Sequence, residues 1–387
     1  MISITKMVRG KATVSEVLTY KGDRSYIPRE LVKRAREIRP IVVWNLTGKC
    51  NLKCLHCYAS IERYEDELDT NEIKRVIDDL SDVGVPLIIL SGGEPILRKD
   101  LFEIAEYASM RNIKVALSTN GTLINEDVAE KIRDSGFSYV GVSIDGSEHT
   151  HDRFRGVKGS FRRAVSGLIN AKEAGVMTGI RFTVTRFNLN DVSYVLDLAV
   201  ENEIPRFCLY HLVPSGRAEF GYDINPEERR RVVDFLFERS LEDDECEILT
   251  VDNPCDGIYI CLKLREFNEK LAQRAFEFLK FRGGDKSGFQ LANIDMFGYV
   301  HPNQFWWDYT CGNVRYESFG DIWLKPRDEL LIKLRNKGRY LRGRCGRCAY
   351  RDVCGGFRLR ALRYGDLWGF DPSCYLRDDE ISKNVFI

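Results

Sequence analysis

From residue 41 onward, short apolar runs alternate with amphipathic segments. The runs read IVVWNL (41–46), PLIILS (86–91), KVALST (114–119), YVGVSI (139–144), MTGIRFTVT (177–185) and RFCLYHLV (206–213). Runs of this length, rich in Val and Ile and bounded by turn residues, predict strands. Between them the apolar positions recur at helical spacing. Ile73, Val76, Ile77, Leu80 and Val83 share one face, with Thr70 and Asn71 ahead of them and Gly84 as the stop. Asp100 opens LFEIAEYASMRN, and Asn125 opens EDVAEKIRDSG, which Gly136 ends. Alternating strands and helices imply a parallel sheet with right-handed crossovers. Six such units, in fewer than the ~250 residues of a full eightfold barrel, predict an α/β fold with a partial (β/α)6 TIM-type barrel.

After about residue 225 the rhythm changes. PEERRRVVDFLFERSL and LREFNEKLAQRAFEFLKF read as helices on either side of CEILTVDNPCDGIYIC. RGGDKSG (282–288) is a hinge or a binding loop, and then aromatics, glycine and cysteine accumulate. The expected division is an N-terminal extension (1–39), the partial barrel (40–225), a helical linker region (226–288) and a small Cys-rich module (289–387).

Charge and targeting narrow the function classes. Lys plus Arg balance Asp plus Glu at 58 each, so no global field draws nucleic acid or a membrane surface. The start, MISITKMVRGKATVSEV, lacks the apolar core of a signal peptide, and runs such as PLIIL are too short to span a bilayer. A cytoplasmic protein without nucleic-acid or membrane partners is expected. In such a reducing compartment, clustered thiols among the 12 cysteines point to metal or iron–sulfur sites rather than disulfides.

The strand ends carry the candidate chemistry, because barrel sites collect at the C-terminal edge. After the first strand comes CNLKCLHC, setting Cys50, Cys54 and Cys57 at spacings that also fit one face of a helix. Their place on a loop behind a strand favours ligation. Zinc normally takes four protein ligands, or three and a water, whereas three thiolates on a 4Fe–4S cluster leave one iron open. His56 adjoins Cys57 and cannot easily point at the same metal. Later strand ends carry SGGEP (91–95), STNG (118–121), VSIDG (142–146) and then HDRFRG (151–156). Near the C-terminus, Cys345, Cys348, Cys354 and Cys374 supply four thiols, which suit zinc or a fully ligated cluster.

With these motifs the chain resembles the radical S-adenosylmethionine (AdoMet) superfamily. The resemblance implies that Cys50, Cys54 and Cys57 ligate a 4Fe–4S cluster whose fourth iron is chelated by AdoMet. It places Gly92 and Gly93 against the ligand, Glu94 near the AdoMet amino group, and Ser143 and Asp145 toward its methionine or ribose parts. An arginine of HDRFRG, Arg155 among them, suits the AdoMet or a substrate carboxylate. The C-terminal module resembles the SPASM extension, whose full form binds two auxiliary clusters. Asn303, Glu317 and Arg358 stand where that form has ligands of the first auxiliary cluster. Cys345, Cys348, Cys354 and Cys374 match those of the second, which implies two 4Fe–4S clusters in all. Cys246, Cys255, Cys261 and Cys311 remain as an improvised site or as core, and Cys208 reads as core.

Longer strings are similar to the tetrapyrrole-modifying branch of that superfamily: YHLVPSGR, HPNQFWWDYTCGNVRYESFGDIW and CGGFRLRALRYGDLWGFDPSCYL. That branch includes the 12,18-didecarboxysiroheme deacetylase of the alternative haem pathway and the haem d1 biosynthesis enzyme, which attacks propionates of the same substrate. The likeness implies an iron-tetrapyrrole substrate and a low-potential electron donor such as ferredoxin or flavodoxin. Arg217, Arg282, Arg358 and Arg360 are candidates to meet substrate carboxylates. Phe305, Trp306 and Trp307 stack on the ring or form core, and His211 and His301 ligate the substrate iron or are structural. His211 and Arg155 are the catalytic candidates. A SPASM-type peptide-modifying enzyme is the alternative, although the forty or so residues before IVVWN look short for a leader-binding module. A zinc- or nucleic-acid-binding protein is the reading from another class.

Overall fold

The computed structural model describes residues 1–9, 39–59, 65–242 and 245–386, without the side chains of 281 and 282. The expected strands form as β2 (Ile41–Asn45), β3 (Leu87–Ser91), β4 (Lys114–Thr119), β5 (Phe137–Ser143), β6 (Thr178–Val184) and β7 (Arg206–His211), each parallel to the next. The sheet does not stop there. β8 (Glu247–Val251) adds in parallel beside β7, and β9 (Leu291–Ile294) in parallel beside β2. The segment expected to be a helical linker therefore contributes a strand, and the Cys-rich module begins with another. Each was masked in sequence by its short length and by flanking helices.

One edge is completed by β1 (Ile2–Ser3), antiparallel to β8, and the other by the antiparallel β10 (Tyr299–His301) and β11 (Gly312–Asn313). The sheet order runs β1-β8-β7-β6-β5-β4-β3-β2-β9-β10-β11, and hydrogen bonds do not close it into a ring. Residues 10–38, most of the expected N-terminal extension, lie outside the described residues. No described helix is long and apolar enough to cross a membrane.

Helix ends follow the local chemistry. Asp69 caps Thr70–Val83 in a reciprocal box with Glu72, and Gly84 takes the left-handed conformation that ends it (φ 80°). Asn125 accepts from the Val128 amide at 2.9 Å. Asp100 precedes its helix without capping it. Its carboxylate instead receives Arg98 Nε at 2.7 Å, while Arg98 also donates to the carbonyls of Leu46 and Leu68. The helices press Ile73, Ile77, Leu80, Ile104 and Leu168 against Val42, Trp44, Ile88, Val115, Val140 and Ile180 of the sheet. The other strand face is different. Alternation puts Ser118, Tyr139, Gly141, Arg181, Arg206 and Tyr210 into a common cavity with Val43, Leu87, Ile89 and Ala116, so polar groups from one side of the sheet face an apolar wall from the other.

Candidate active site

The cavity spans about 2230 Å³ of empty space, counting its solvent-filled mouth. Cys50, Cys54 and Cys57, with Gly92, Gly93, Asn120, Ser143 and Arg155, line it. Residues from separate strand ends therefore meet in one place. The cysteine loop is not a helix. It is held by neighbours: the Lys53 and Leu55 amides donate to the carbonyls of Arg155 and Phe154, and Arg217 Nε donates to the Cys54 carbonyl at 3.0 Å. Arg217 is thus a clamp on this loop.

Gly92 and Gly93 have a specific reason to be glycine. The Gly93 amide donates to the Thr47 carbonyl at 2.7 Å and the Glu94 amide to that of Lys49 at 2.8 Å. A Cβ at Gly92 would stand 2.5 Å from Thr47 O, and one at Gly93 2.7 Å from Gly48 O. The two glycines let the SGGEP turn lie directly against the strand end that delivers Cys50.

Glu94 is fully buried behind that turn. Its carboxylate accepts from the Ile96 amide, the Thr119 hydroxyl (2.8 Å) and the Asn120 amide (2.8 Å), yet burial still pushes its pKa up to about 7. Ser143 faces the cavity. Asp145, fully buried, does not line it and instead pairs with Arg155 and accepts from the Thr183 amide at 2.8 Å. Arg155 in turn reaches Cys54 Sγ at 3.6 Å. The Asp145–Arg155 pair accordingly sets a fixed cation beside the cysteine loop.

His56 stacks on Phe154 with ring centroids 4.2 Å apart, and its burial lowers the pKa to about 4, so it stays neutral. His211 is spent on both nitrogens: Arg229 donates to Nδ1 at 2.9 Å, and Nε2 lies 2.9 Å from Asp256. Neither nitrogen is left to ligate an iron or pass on a proton. His301 is likewise engaged, by the Tyr309 carbonyl and by Asp295.

The second thiol group also assembles. Cys345, Cys348, Cys354 and Cys374 lie within electrostatic reach of one another. Each sulfur accepts a backbone amide: those of Asp371, Tyr350, Gly356 and Leu376 respectively. In the barrel loop the Leu52 and Ala59 amides reach Cys50 and Cys57 in the same way. Amide-to-sulfur bonds favour the thiolate and are a recognised lever on iron–sulfur centres. Burial pushes Cys50 up to about 11 and raises Cys57, Cys345, Cys348 and Cys354. No three described His, Cys, Asp or Glu side chains converge on one ion. Both donor sets fit clusters.

Of the four extra cysteines, Cys255 alone joins a thiol group, hydrogen bonding with Cys374 and lowering that thiol's pKa. Cys246 and Cys261 lie in the core, as does Cys208, while Cys311 is half-buried. Arg358 and Arg360 are fully buried and hold backbone carbonyls, those of Leu367 and Gly369 for Arg358 and those of Asp252 and Leu212 for Arg360. Their heads are committed to these buried carbonyls, within the C-terminal segment for Arg358 and across to the ends of β8 and β7 for Arg360, which corrects the expectation that they meet substrate acids. The Arg282 side chain lies outside the described residues. Trp306 is core, whereas Phe305 meets the cavity edge-on to Tyr58 at 5.1 Å. Gly284, Asp285 and Lys286 of RGGDKSG form part of the wall. Arg181 was not singled out from sequence. Its signal was a lone arginine on the inward phase of an otherwise apolar strand.

The chain is similar to known proteins in sequence and in fold. A family profile described as the Radical SAM superfamily matches residues 44–199. The chain is 44% identical over 394 residues to an Fe-coproporphyrin III synthase of Methanosarcina barkeri, covering 98% of this chain and 99% of that protein. It is 42% identical over 352 residues to a pre-heme d1 synthase of Dinoroseobacter shibae, covering 87% and 86% respectively. Streptococcus suis SuiB bound to its precursor peptide SuiA shares the fold, with a TM-score of 0.72 at 18% identity over 92% of this chain and 84% of that one. Full-length identity at this level, with the family's three-cysteine loop and glycine turn facing one cavity, shows that the chain belongs to the radical SAM superfamily, whose members bind a 4Fe–4S cluster and AdoMet.

Proposed function

We propose that this enzyme removes two acetate side chains from 12,18-didecarboxysiroheme to give iron-coproporphyrin III. The observation that carries the reading is the near-complete two-way match to the Fe-coproporphyrin III synthase of M. barkeri. In this reading residues 40–225 carry the AdoMet site and residues 289–387 the auxiliary module. Cys50, Cys54 and Cys57 hold the AdoMet-binding cluster, and Cys345, Cys348, Cys354 and Cys374 hold an auxiliary 4Fe–4S cluster. Electrons come from a low-potential donor of the ferredoxin or flavodoxin type.

Held there, cluster and AdoMet would supply the radical chemistry needed for hydrogen abstraction from the substrate. The protein's own part is to position and to shield. Arg217 and the Phe154–Arg155 carbonyls fix the cysteine loop. Glu94, buried behind the glycine turn and held by three donors, is assigned to the AdoMet ammonium, while Gly92, Gly93 and Ser143 line the cavity itself. Asp145 acts one step back, holding Arg155 in place. Arg155 steadies the loop electrostatically, and His211 is assigned a structural part because both nitrogens are committed.

The second reading is favoured by the similar identity to the pre-heme d1 synthase, and would direct the same machinery to propionates. One anaerobic reaction separates the two: reconstituted protein, AdoMet, a low-potential reductant and didecarboxysiroheme, analysed by mass spectrometry. Iron-coproporphyrin III with 5'-deoxyadenosine is the expected result. Loss of mass at propionates moves the protein to the second reading. AdoMet cleavage with an unchanged macrocycle overturns both, and a peptide substrate becomes the next to test.

A further inference from the structure

We propose that Arg181 is the receptor for one carboxylate side chain of the substrate, seated inside the barrel below the cysteine loop. The proposal rests on the tetrapyrrole reading above and adds a binding group to it. Arg181 projects from the inward face of β6 into the cavity that Cys50, Cys54, Cys57, Gly92 and Gly93 also line. Its surroundings are shaped to hold a cation there. A Cβ at Gly141 on the neighbouring strand would stand 2.8 Å from Arg181 Cδ, so glycine clears the path of the stem. The guanidinium lies over the Tyr210 ring at 4.8 Å and donates to Ser118 Oγ.

The other arginines of this cavity are neutralised. Arg155 pairs with Asp145, and Arg206 pairs with Glu247 at 2.7 Å. Arg181 forms no ion pair with any described carboxylate. Asp252, at the end of β8, comes within its electrostatic range without pairing. The titratable groups that face Arg181 include the phenols of Tyr210, Tyr58 and Tyr139 and the thiol of Cys208. Tyr139 adds a buried hydroxyl that has no hydrogen-bond partner.

A largely buried cation without a counter-ion is costly unless a ligand supplies the charge. A carboxylate meets the guanidinium fork with two parallel hydrogen bonds, which fixes orientation as well as adding affinity. A macrocycle bearing several carboxylates would be fixed in rotation by one such anchor, and rotation decides which side chain faces the reacting centre. Arg181 is therefore a specificity-determining residue. It stands two positions before Thr183 on the same strand face and pairs in register with Ser143 of β5.

The test uses the cluster-loaded protein and a stable probe, iron-coproporphyrin III, titrated by its absorption band beside its tetramethyl ester. AdoMet affinity and iron content are measured on the same samples. For Arg181→Gln the expected result is roughly 10- to 100-fold weaker binding of the acid, unchanged binding of the ester, and unchanged AdoMet affinity. Arg181→Lys keeps the charge without the fork and should recover part of the loss. Equal weakening of acid and ester would mean a packing defect, and a loss confined to AdoMet would make Arg181 a cofactor residue; either overturns the proposal. If wild type binds the acid but Arg181→Gln binds it equally well, Arg181 fails while the tetrapyrrole reading stands. If wild type binds neither probe, the tetrapyrrole reading fails and this inference falls with it.

Discussion

Cys50, Cys57, Cys348, Cys354 and Cys374 share one local device: the sulfur accepts the amide of the residue two positions on. A turn of that kind aims an N–H at a thiolate before any iron arrives. Because the two thiol sets are built separately, their losses should separate. Cys348→Ala should lose one cluster's iron and keep AdoMet cleavage to 5'-deoxyadenosine in the absence of substrate; Cys54→Ala should lose the cleavage. Iron analysis and chromatography of the nucleoside decide this, and loss of cleavage in both variants would show the sets to be interdependent. Gly93→Ala tests the close approach of the two loops. It should weaken AdoMet binding and lower stability by about 1–3 kcal/mol, read by titration and thermal unfolding.

His151 gives a pH signature at the same scale. It is buried, accepts from the Asp145 amide at 3.1 Å, and burial lowers its pKa from 6.5 to about 4. Between those values the unfolded chain binds a proton that the folded chain refuses. Stability from this group is therefore complete above pH 6.5 and falls as the pH drops toward 4, by at most about 3 kcal/mol. The melting temperature of wild type should fall more steeply than that of His151→Asn between pH 6.5 and 5. Parallel curves would assign the acid sensitivity elsewhere.

At the scale of elements, β8 is the informative strand. All of its residues are buried, and Glu247 at its start pairs with Arg206 of β7, with side-chain exposures of 1% and 3%. Removing one partner strands a buried charge, whereas replacing both need not. Glu247→Ala should cost about 3–5 kcal/mol by denaturant unfolding, and Arg206→Met with Glu247→Leu should recover much of it. The strand was hidden in sequence because EILTV is brief and sits between two long helical patterns. The six earlier strands were legible because each pairs a Val- and Ile-rich run with a capped helix.

For the whole molecule, the question is how a C-terminal module is tied to a barrel whose strands begin 250 residues earlier. Arg360 does part of this, donating to the carbonyls that follow β8 and β7, Asp252 and Leu212, and to Ser373 Oγ at 2.8 Å. Cys255, which starts the helix after β8, reaches Cys374. Arg360→Met should lower the melting temperature and, if the proposed second cluster is held there, the iron content with it, because it leaves buried carbonyls unmet and loosens the loop holding Cys374. A variant of wild-type stability with full iron would remove Arg360 from this role.

The sequence by itself determined the strand–helix alternation, the strand-end motifs and both thiol sets, because these depend on local periodicity and on short spacings. Only the tertiary structure decided which charged groups are spent. Arg358, Arg360 and His211 were equal candidates as letters, and folding commits them to carbonyls and to Asp256. Asp145 reads like a ligand-facing residue but turns away to hold Arg155. Arg181 and Arg206 both sit on the inward phase of their strands, and only the fold pairs Arg206 with Glu247 while leaving Arg181 in the cavity without a paired acid. Charge compensation is a property of long-range packing, and no window of sequence contains it.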